Sequence, residues 1–263
     1  VLPIPYEATT TFGHGTAHGP STIIAASTEM ETYDVRTGRD ASTLGIATLP
    51  GVEPDASSPE KMVDRIAEIA SDILRDDKFL LSLGGEHTIT VGLVRAFAQR
   101  FPGFGILQID AHADLRDEYE NSRYHHATAM RRCSEIAPVV GVGVRSYSEE
   151  EAEFIANSGA IVLPPWRLRD EPDALDDALG RLPEQVYVTI DVDGLDPSVV
   201  PGTGTPEPGG FSFDEIFDIL SRLSSSRSII GGDVVECAAQ PGDRVSAFTA
   251  ARLAYALMGM ALG

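Results

Sequence analysis

A chain of 263 residues, 43% apolar and 23% charged, can bury a sizeable core, and α/β folds of this length commonly form one unit. Its formal net charge of −20 argues against nucleic acid or an anionic membrane as partner. Cys133 and Cys237 lie far apart outside any CxxC, no unbroken apolar run has the ~18 residues of a membrane span, and the start VLPIPYEATT lacks a basic-then-apolar leader, all of which fit a cytoplasmic protein without disulfides.

In chain order, Ser58-Pro59 reads as an N-cap followed by proline at the first helical position. Met62, Val63, Ile66, Ile69, Ala70, Ile73 and Leu74 then keep helical spacing, which predicts an amphipathic helix over 59–76. KFLLSL (78–83) reads as a strand and 88–101 as the next helix. Further buried strands are expected at 104–109, 138–144, 160–163, 185–190 and 228–235, with helices at 148–157, 171–181, 212–223 and 244–261. Near-continuous apolar strands separated by helices predict a parallel sheet covered on both faces. With no repeat, low-complexity tract or linker, residues 1–263 read as one α/β domain of three layers.

Ligands in open parallel sheets bind beyond the carboxyl ends of the strands. Four polar clusters fall there: GGEH (84–87), DAHAD (110–114), DVDGLDP (191–197) and VVEC (234–237). Asp110 and His112, like Asp191 and Asp193, are two apart, so in extended chain each pair shares a face. Several carboxylates held together out of water are costly unless compensated. No lysine or arginine lies within the four clusters, so metal cations are the expected compensation.

His87, Asp110, His112, Asp114, Asp191 and Asp193 offer four carboxylates and two imidazoles, with no thiolate. Such ligands suit Mn²⁺ first, then Fe²⁺, Co²⁺ or Zn²⁺. Six side chains are too many for one ion with an open position, and four carboxylates balance two divalent cations. Two cations about 3.5–4 Å apart can hold a hydroxide between them, which points to hydrolysis. Blander readings apply elsewhere: Asp196-Pro197 as a turn, His14 and His18 as surface loop residues, Cys237 as a buried thiol and Trp166 as packing. The two lysines against 18 arginines, with abundant acid, suit either a salt-rich cytoplasm or a GC-rich genome.

GGEHTIT, DAHADLRDEY, RYHHATAMRR, TIDVDGLDPSVVPGTGTPEPGG and DVVECAAQPGD together resemble the motif set of the ureohydrolases, the arginase and agmatinase family. PYEATTTFGHGTAHGPSTI and GVRSYSEEE are similar to its agmatinase branch. The resemblance implies a parallel sheet of roughly eight strands, two manganese ions per chain, hydrolysis of a small cationic guanidino substrate to urea and an amine, and a homo-trimer or homo-hexamer. It assigns His87, Asp110, Asp114 and Asp191 to one metal, and His112 and Asp193, with Asp110 and Asp191 as bridges, to the other. It also implies His126 as catalytic histidine and proton shuttle, with His125 its competitor, and Asp114 as proton donor. Glu236 would grip the guanidinium and Thr205 would line its pocket.

Agmatine is the favoured substrate, because RDEYENSRYHHATAM resembles the agmatinase loop; N-substituted agmatine, guanidinobutyrate and arginine stay open. Glu118 and Arg123 lie between two of the motifs, on a loop expected to meet the substrate's far end. A non-catalytic, metal-binding regulatory subunit with the same fold is the contrasting reading. A phosphoesterase would want basic residues that the four clusters lack.

Overall fold

The computed structural model describes residues 1–240 and 242–263. Seven strands, all parallel, form the main sheet: β1 (Leu2–Ile4), β4 (Leu80–Gly84), β9 (Ser228–Val235), β8 (Gln185–Asp191), β5 (Gly105–Ile109), β6 (Val139–Val142) and β7 (Ile161–Leu163), in that spatial order. A two-stranded antiparallel ribbon, β2 (Tyr33–Asp34) with β3 (Arg39–Asp40), stands apart. The sheet therefore has seven strands rather than roughly eight. Six are the predicted apolar runs; the seventh, β1, is three residues with proline inside, tolerated because β1 is an edge strand.

Helices cover both faces. On one, α2 (Pro59–Leu74), α3 (Ile89–Arg100), α4 (Ala129–Ser134) and α5 (Glu149–Ser158) bury Met62, Ile66, Leu93, Phe97 and Met130 against the sheet. On the other, α1 (Gly19–Ser27), α7 (Ala174–Leu179), α8 (Phe213–Ser226) and α9 (Val245–Leu262) bury Ile23, Leu179, Leu220 and Leu253. The alternation along β8 feeds both cores, Val186, Val188 and Ile190 into one and Tyr187 into the other.

Local signals act as read: the Ser58 hydroxyl accepts from the Lys61 N–H at 3.2 Å and Pro59 opens α2. The helix expected at 171–181 is shorter, and a separate turn, α6 (Pro165–Asp170), precedes it, because Pro172 cannot continue a helix from before it. Trp166, on α6, is 55% exposed and stands outside both cores. Helix α9 is long and apolar enough on average to cross a membrane by length and composition alone, although Arg252 interrupts its apolar run. Half of it is buried, packed on β9, α1 and α8.

Candidate active site

The chain runs outward from β5 to β6 and β7, then returns to β8 beside β5 and continues the other way to β9. The crevice between β5 and β8 is thus a point where strand order reverses, the expected place for a ligand. The four central strands β4, β9, β8 and β5 deliver His87, Glu236, Asp191 and Asp110 to their carboxyl ends. The fold brings the predicted residues together.

Nδ1 of His87 lies 3.1 Å from Asp110 Oδ2, 3.0 Å from Asp114 Oδ2 and 3.5 Å from Asp191 Oδ2. Nδ1 of His112 lies 3.0 Å from Asp193 Oδ2 and 3.8 Å from Asp110 Oδ1. Two triads result, His87/Asp110/Asp191 and Asp110/His112/Asp193, each with donor atoms within 4.8 Å of one another. Asp110 belongs to both, turning one oxygen to each, while Asp191 enters the first. The backbone orients these carboxylates: Asp110 Oδ1 accepts from the His112 N–H (2.6 Å), Asp191 Oδ1 from the Asp193 N–H (2.9 Å) and Asp193 Oδ1 from the Ala111 N–H (3.0 Å). Gln108 Nε2 donates to Asp110 Oδ2 at 2.9 Å.

The electrostatics ask for positive charge. Burial, with Asp114 and Asp193 beside it, pushes Asp110 up to about 7. Burial and the neighbouring Asp193 and Asp110 push Asp191 well up. Burial works against Asp193 as well, but His112 and the Ala111 N–H outweigh it and hold that carboxyl well below the usual range. His87 supplies the clearest test of fit for a metal: its Nδ1 is buried, faces three carboxylate oxygens and hydrogen-bonds to none. Three carboxylate oxygens gathered around one buried imidazole nitrogen call for a cation at their centre, and the nitrogen–oxygen donor set suits a divalent first-row ion.

Glu236 follows β9 at φ +62° and Asp114 sits at φ +53°, both in the left-handed region that non-glycine residues avoid at a cost of about 1–3 kcal/mol. The turn at Glu236 is fixed by its N–H on Gly85 O (2.8 Å) and by its Oε1 accepting from the His87 N–H (2.7 Å). His126 Nδ1 lies 3.4 Å from Glu236 Oε1. Burial would lower His126, but the adjacent Glu236 carboxylate prevails and pushes it up to about 9. His125 turns the other way: its Nδ1 accepts from the Ala127 N–H at 3.2 Å, capping the turn before α4, and its side chain is 2% exposed. Thr205 Oγ1 reaches Asp193 Oδ2 at 3.3 Å. A cavity of about 270 Å³ is lined by His112, Asp114, His126, Asp191, Asp193, Thr205 and Glu236, and not by His125.

Residues 1–259 match the sequence profile described as the Arginase family. The chain belongs to that family. It is 39% identical to the N(1)-aminopropylagmatine ureohydrolase of Synechocystis, over 98% of this chain and 87% of the relative. It is 36% identical to the agmatinase of Pyrococcus horikoshii, over 99% and 90%. The agmatine ureohydrolase of Thermoplasma volcanium superposes with a TM-score of 0.89 at 29% identity, covering 99% of this chain and 88% of that structure. This arginase-family chain is therefore a ureohydrolase, an enzyme that hydrolyses a guanidino group to urea and an amine.

Several groups that support the arginase-family site escape the motif reading. His87 Nε2 is 2.9 Å from Thr189 Oγ1, which donates to Asp233 Oδ1 at 2.6 Å. Buried Asp233 also accepts from Tyr187 (2.6 Å) and Thr90 (2.9 Å). The one Thr189 proton is committed to Asp233, so Nε2 of His87 donates to Thr189, which leaves Nδ1 as the nitrogen a cation would take. The signal was present: an aspartate inside the buried run SIIGGDVV demands a partner. Glu86, fully buried, accepts from the N–H groups of Ala8 and Thr9, both at 2.6 Å. Thr9 Oγ1 in turn accepts from the His126 N–H at 3.0 Å, so Glu86 steadies the loop carrying that histidine. Gly85 permits this approach, since a Cβ there would lie 1.9 Å from Tyr6 O.

The loop carrying Glu118 and Arg123 reaches the cavity mouth, though not through those two side chains. Arg123 turns away to Asp117 and Glu135, at 3.4 and 3.3 Å, and Glu118 is exposed; neither lines the cavity. Arg116 and Tyr119 from the same loop line it instead. The polar loop has no periodicity from which to tell inward from outward residues.

Proposed function

We propose that this ureohydrolase takes a linear aminoalkylguanidine, agmatine, giving urea and putrescine. The alternative of N(1)-aminopropylagmatine is favoured by the names of relatives from Synechocystis and Thermus thermophilus, at 39% and 35% identity. The observation that carries the proposal is the Glu236 carboxylate, held at a strained turn and facing the same cavity as the two carboxylate–histidine triads and His126.

In this reading His87, Asp110, Asp114 and Asp191 hold one divalent cation, and Asp110, His112, Asp191 and Asp193 the other, manganese being the ion best suited to the donors. Once bound, such a pair supplies a water acidified enough to attack near neutral pH. The remaining tasks fall to the chain. A guanidinium has a pKa of roughly 12.5–13.8 and a delocalised charge, so its carbon is a poor electrophile and must be held in register. Glu236 can accept two of its N–H groups, fixing the plane, with Thr205 beside it. Expelling the amine needs a proton on the leaving nitrogen, and the Asp114 carboxylate would take the proton given up by the attacking water and pass it there. His126, at the cavity wall beside Glu236, would carry to solvent the proton released when a fresh water is readied for the next turnover.

We further propose that residues 1–263 act as one domain, that the enzyme assembles as a homo-trimer or homo-hexamer, and that it works in the cytoplasm. The substrate is tested by urea release from the manganese-loaded protein against agmatine, N(1)-aminopropylagmatine, guanidinobutyrate and arginine. Preference for either of the first two supports the reading; preference for guanidinobutyrate or arginine overturns it.

A further inference from the structure

We infer that Tyr147 recognises the cationic far end of the substrate, its ring face receiving the distal ammonium; this rests on the aminoalkylguanidine reading above. An ammonium group needs a counter-charge or an electron-rich face once it leaves bulk water. Among the carboxylates lining the cavity, Asp114, Asp191, Asp193 and Glu236 belong to the reacting end. The remaining one, Glu151, is 4% exposed and fully engaged: Oε1 accepts from the Leu115 N–H at 2.9 Å, and Oε2 from the Ser148 N–H and hydroxyl at 2.7 and 2.8 Å. No free carboxylate on the cavity wall is left for the tail.

Arg116, a cation on that wall, repels an ammonium and already lies over the Tyr119 ring, 4.9 Å from its centroid. Tyr147 is the aromatic left over. It lines the cavity, is 52% exposed, and among the described residues its ring has no aromatic or cationic partner and its hydroxyl no hydrogen bond.

Its backbone, by contrast, is tightly held. The N–H groups of Arg145 and Ser146 both donate to Ala111 O, at 2.8 and 3.0 Å, which ties the segment beside His112. The Arg145 guanidinium donates to the carbonyls of Gly143 (3.0 Å) and Asp193 (2.9 Å), and Ser148 caps α5. A large ring carried to the cavity by a rigid backbone leaves only its own side-chain torsions to be fixed on binding. The tyrosine face carries the negative lobe of its quadrupole, which suits an alkylammonium and rejects a carboxylate tail.

The test is a specificity ratio. For wild type, Tyr147→Phe and Tyr147→Leu, kcat/KM is measured with the better of agmatine and N(1)-aminopropylagmatine, and with the amine-free alkylguanidine of matching chain length. Packing against the alkyl chain affects both compounds and cancels in the ratio. The Leu variant should lose about 3- to 30-fold of the preference for the amine, mostly through KM, while the Phe variant stays within about twofold of wild type. An unchanged ratio in the Leu variant overturns the inference. An equal loss in both variants also overturns it, because the hydroxyl rather than the ring would then hold the tail. A wild-type enzyme that releases urea from neither amine overturns the substrate reading first, and this inference with it.

Discussion

Replacing Thr189 with valine removes one hydroxyl, preserves the side chain's shape and its fit to a strand, and tests how His87 is oriented. Two contacts go: the 2.9 Å contact with His87 Nε2 and the 2.6 Å donation to Asp233. Asp233 keeps Tyr187 and Thr90, so its own loss is partial. His87 Nε2–H is left buried without an acceptor, which costs about 1–3 kcal/mol. The imidazole can escape that penalty by moving its proton to Nδ1, but this aims a proton into the three carboxylates and removes a metal donor. Either way metal affinity should fall about 10- to 100-fold, the usual scale for losing a partner behind a histidine ligand. The metal-free protein should lose roughly 2–4 °C in melting temperature for each kcal/mol at about this chain length. Competition with a chromogenic chelator measures the affinity and thermal denaturation of the metal-free protein the stability. Thr189→Ser, which keeps the hydroxyl, should stay near wild type in both. Metal affinity within twofold of wild type in Thr189→Val would refute the argument, even if the protein melted earlier.

Glu236→Gln should retain both metals but lose the charge-assisted grip on the guanidinium, about 1.5–3 kcal/mol, seen as a roughly 10- to 100-fold fall in kcat/KM for urea release. Near-normal turnover would mean that the guanidinium is held elsewhere. His126→Asn should lower kcat about 100-fold or more with metal content unchanged, and added imidazole should restore part of it. His125→Asn, whose side chain can still cap the turn before α4, should leave kcat much closer to wild type, whereas His125→Ala loses that cap and should lower stability by about 0.5–2 kcal/mol; the reverse pattern of kcat effects in the two Asn variants would exchange the two roles. If the lysine-poor, acidic surface is an adaptation to salt, the melting temperature should climb steeply from low to molar potassium chloride as self-repulsion is screened. A flat profile leaves genome composition as the better account.

The alternating Asp and His positions of DAHAD and DVD were legible because strand geometry puts them on one face, and because a sheet end is where a charged pair can be used. What the chain does not spell out is pairing between distant segments. Thr189 meets Asp233 only because β8 and β9 align in that register, a non-local choice made by the whole sheet. The two histidines of HHATAM look alike in sequence; the N-cap of a short turn decides which one faces the cavity. β1 was hidden for a local reason, three residues carrying a proline with no alternation to read. Tyr147 was hidden because a loop residue's exposure follows from what Arg145 ties down, not from its neighbours in sequence.

Two cations sharing Asp110 would give this fold its ureohydrolase activity. Metal-free protein should be titrated with manganese while bound metal per chain and urea release from the preferred aminoalkylguanidine are followed in the same samples. Binding should saturate at two ions per chain, with most of the urea release arriving as the second site fills. Saturation at one ion, or full activity reached with one, would contradict the claim.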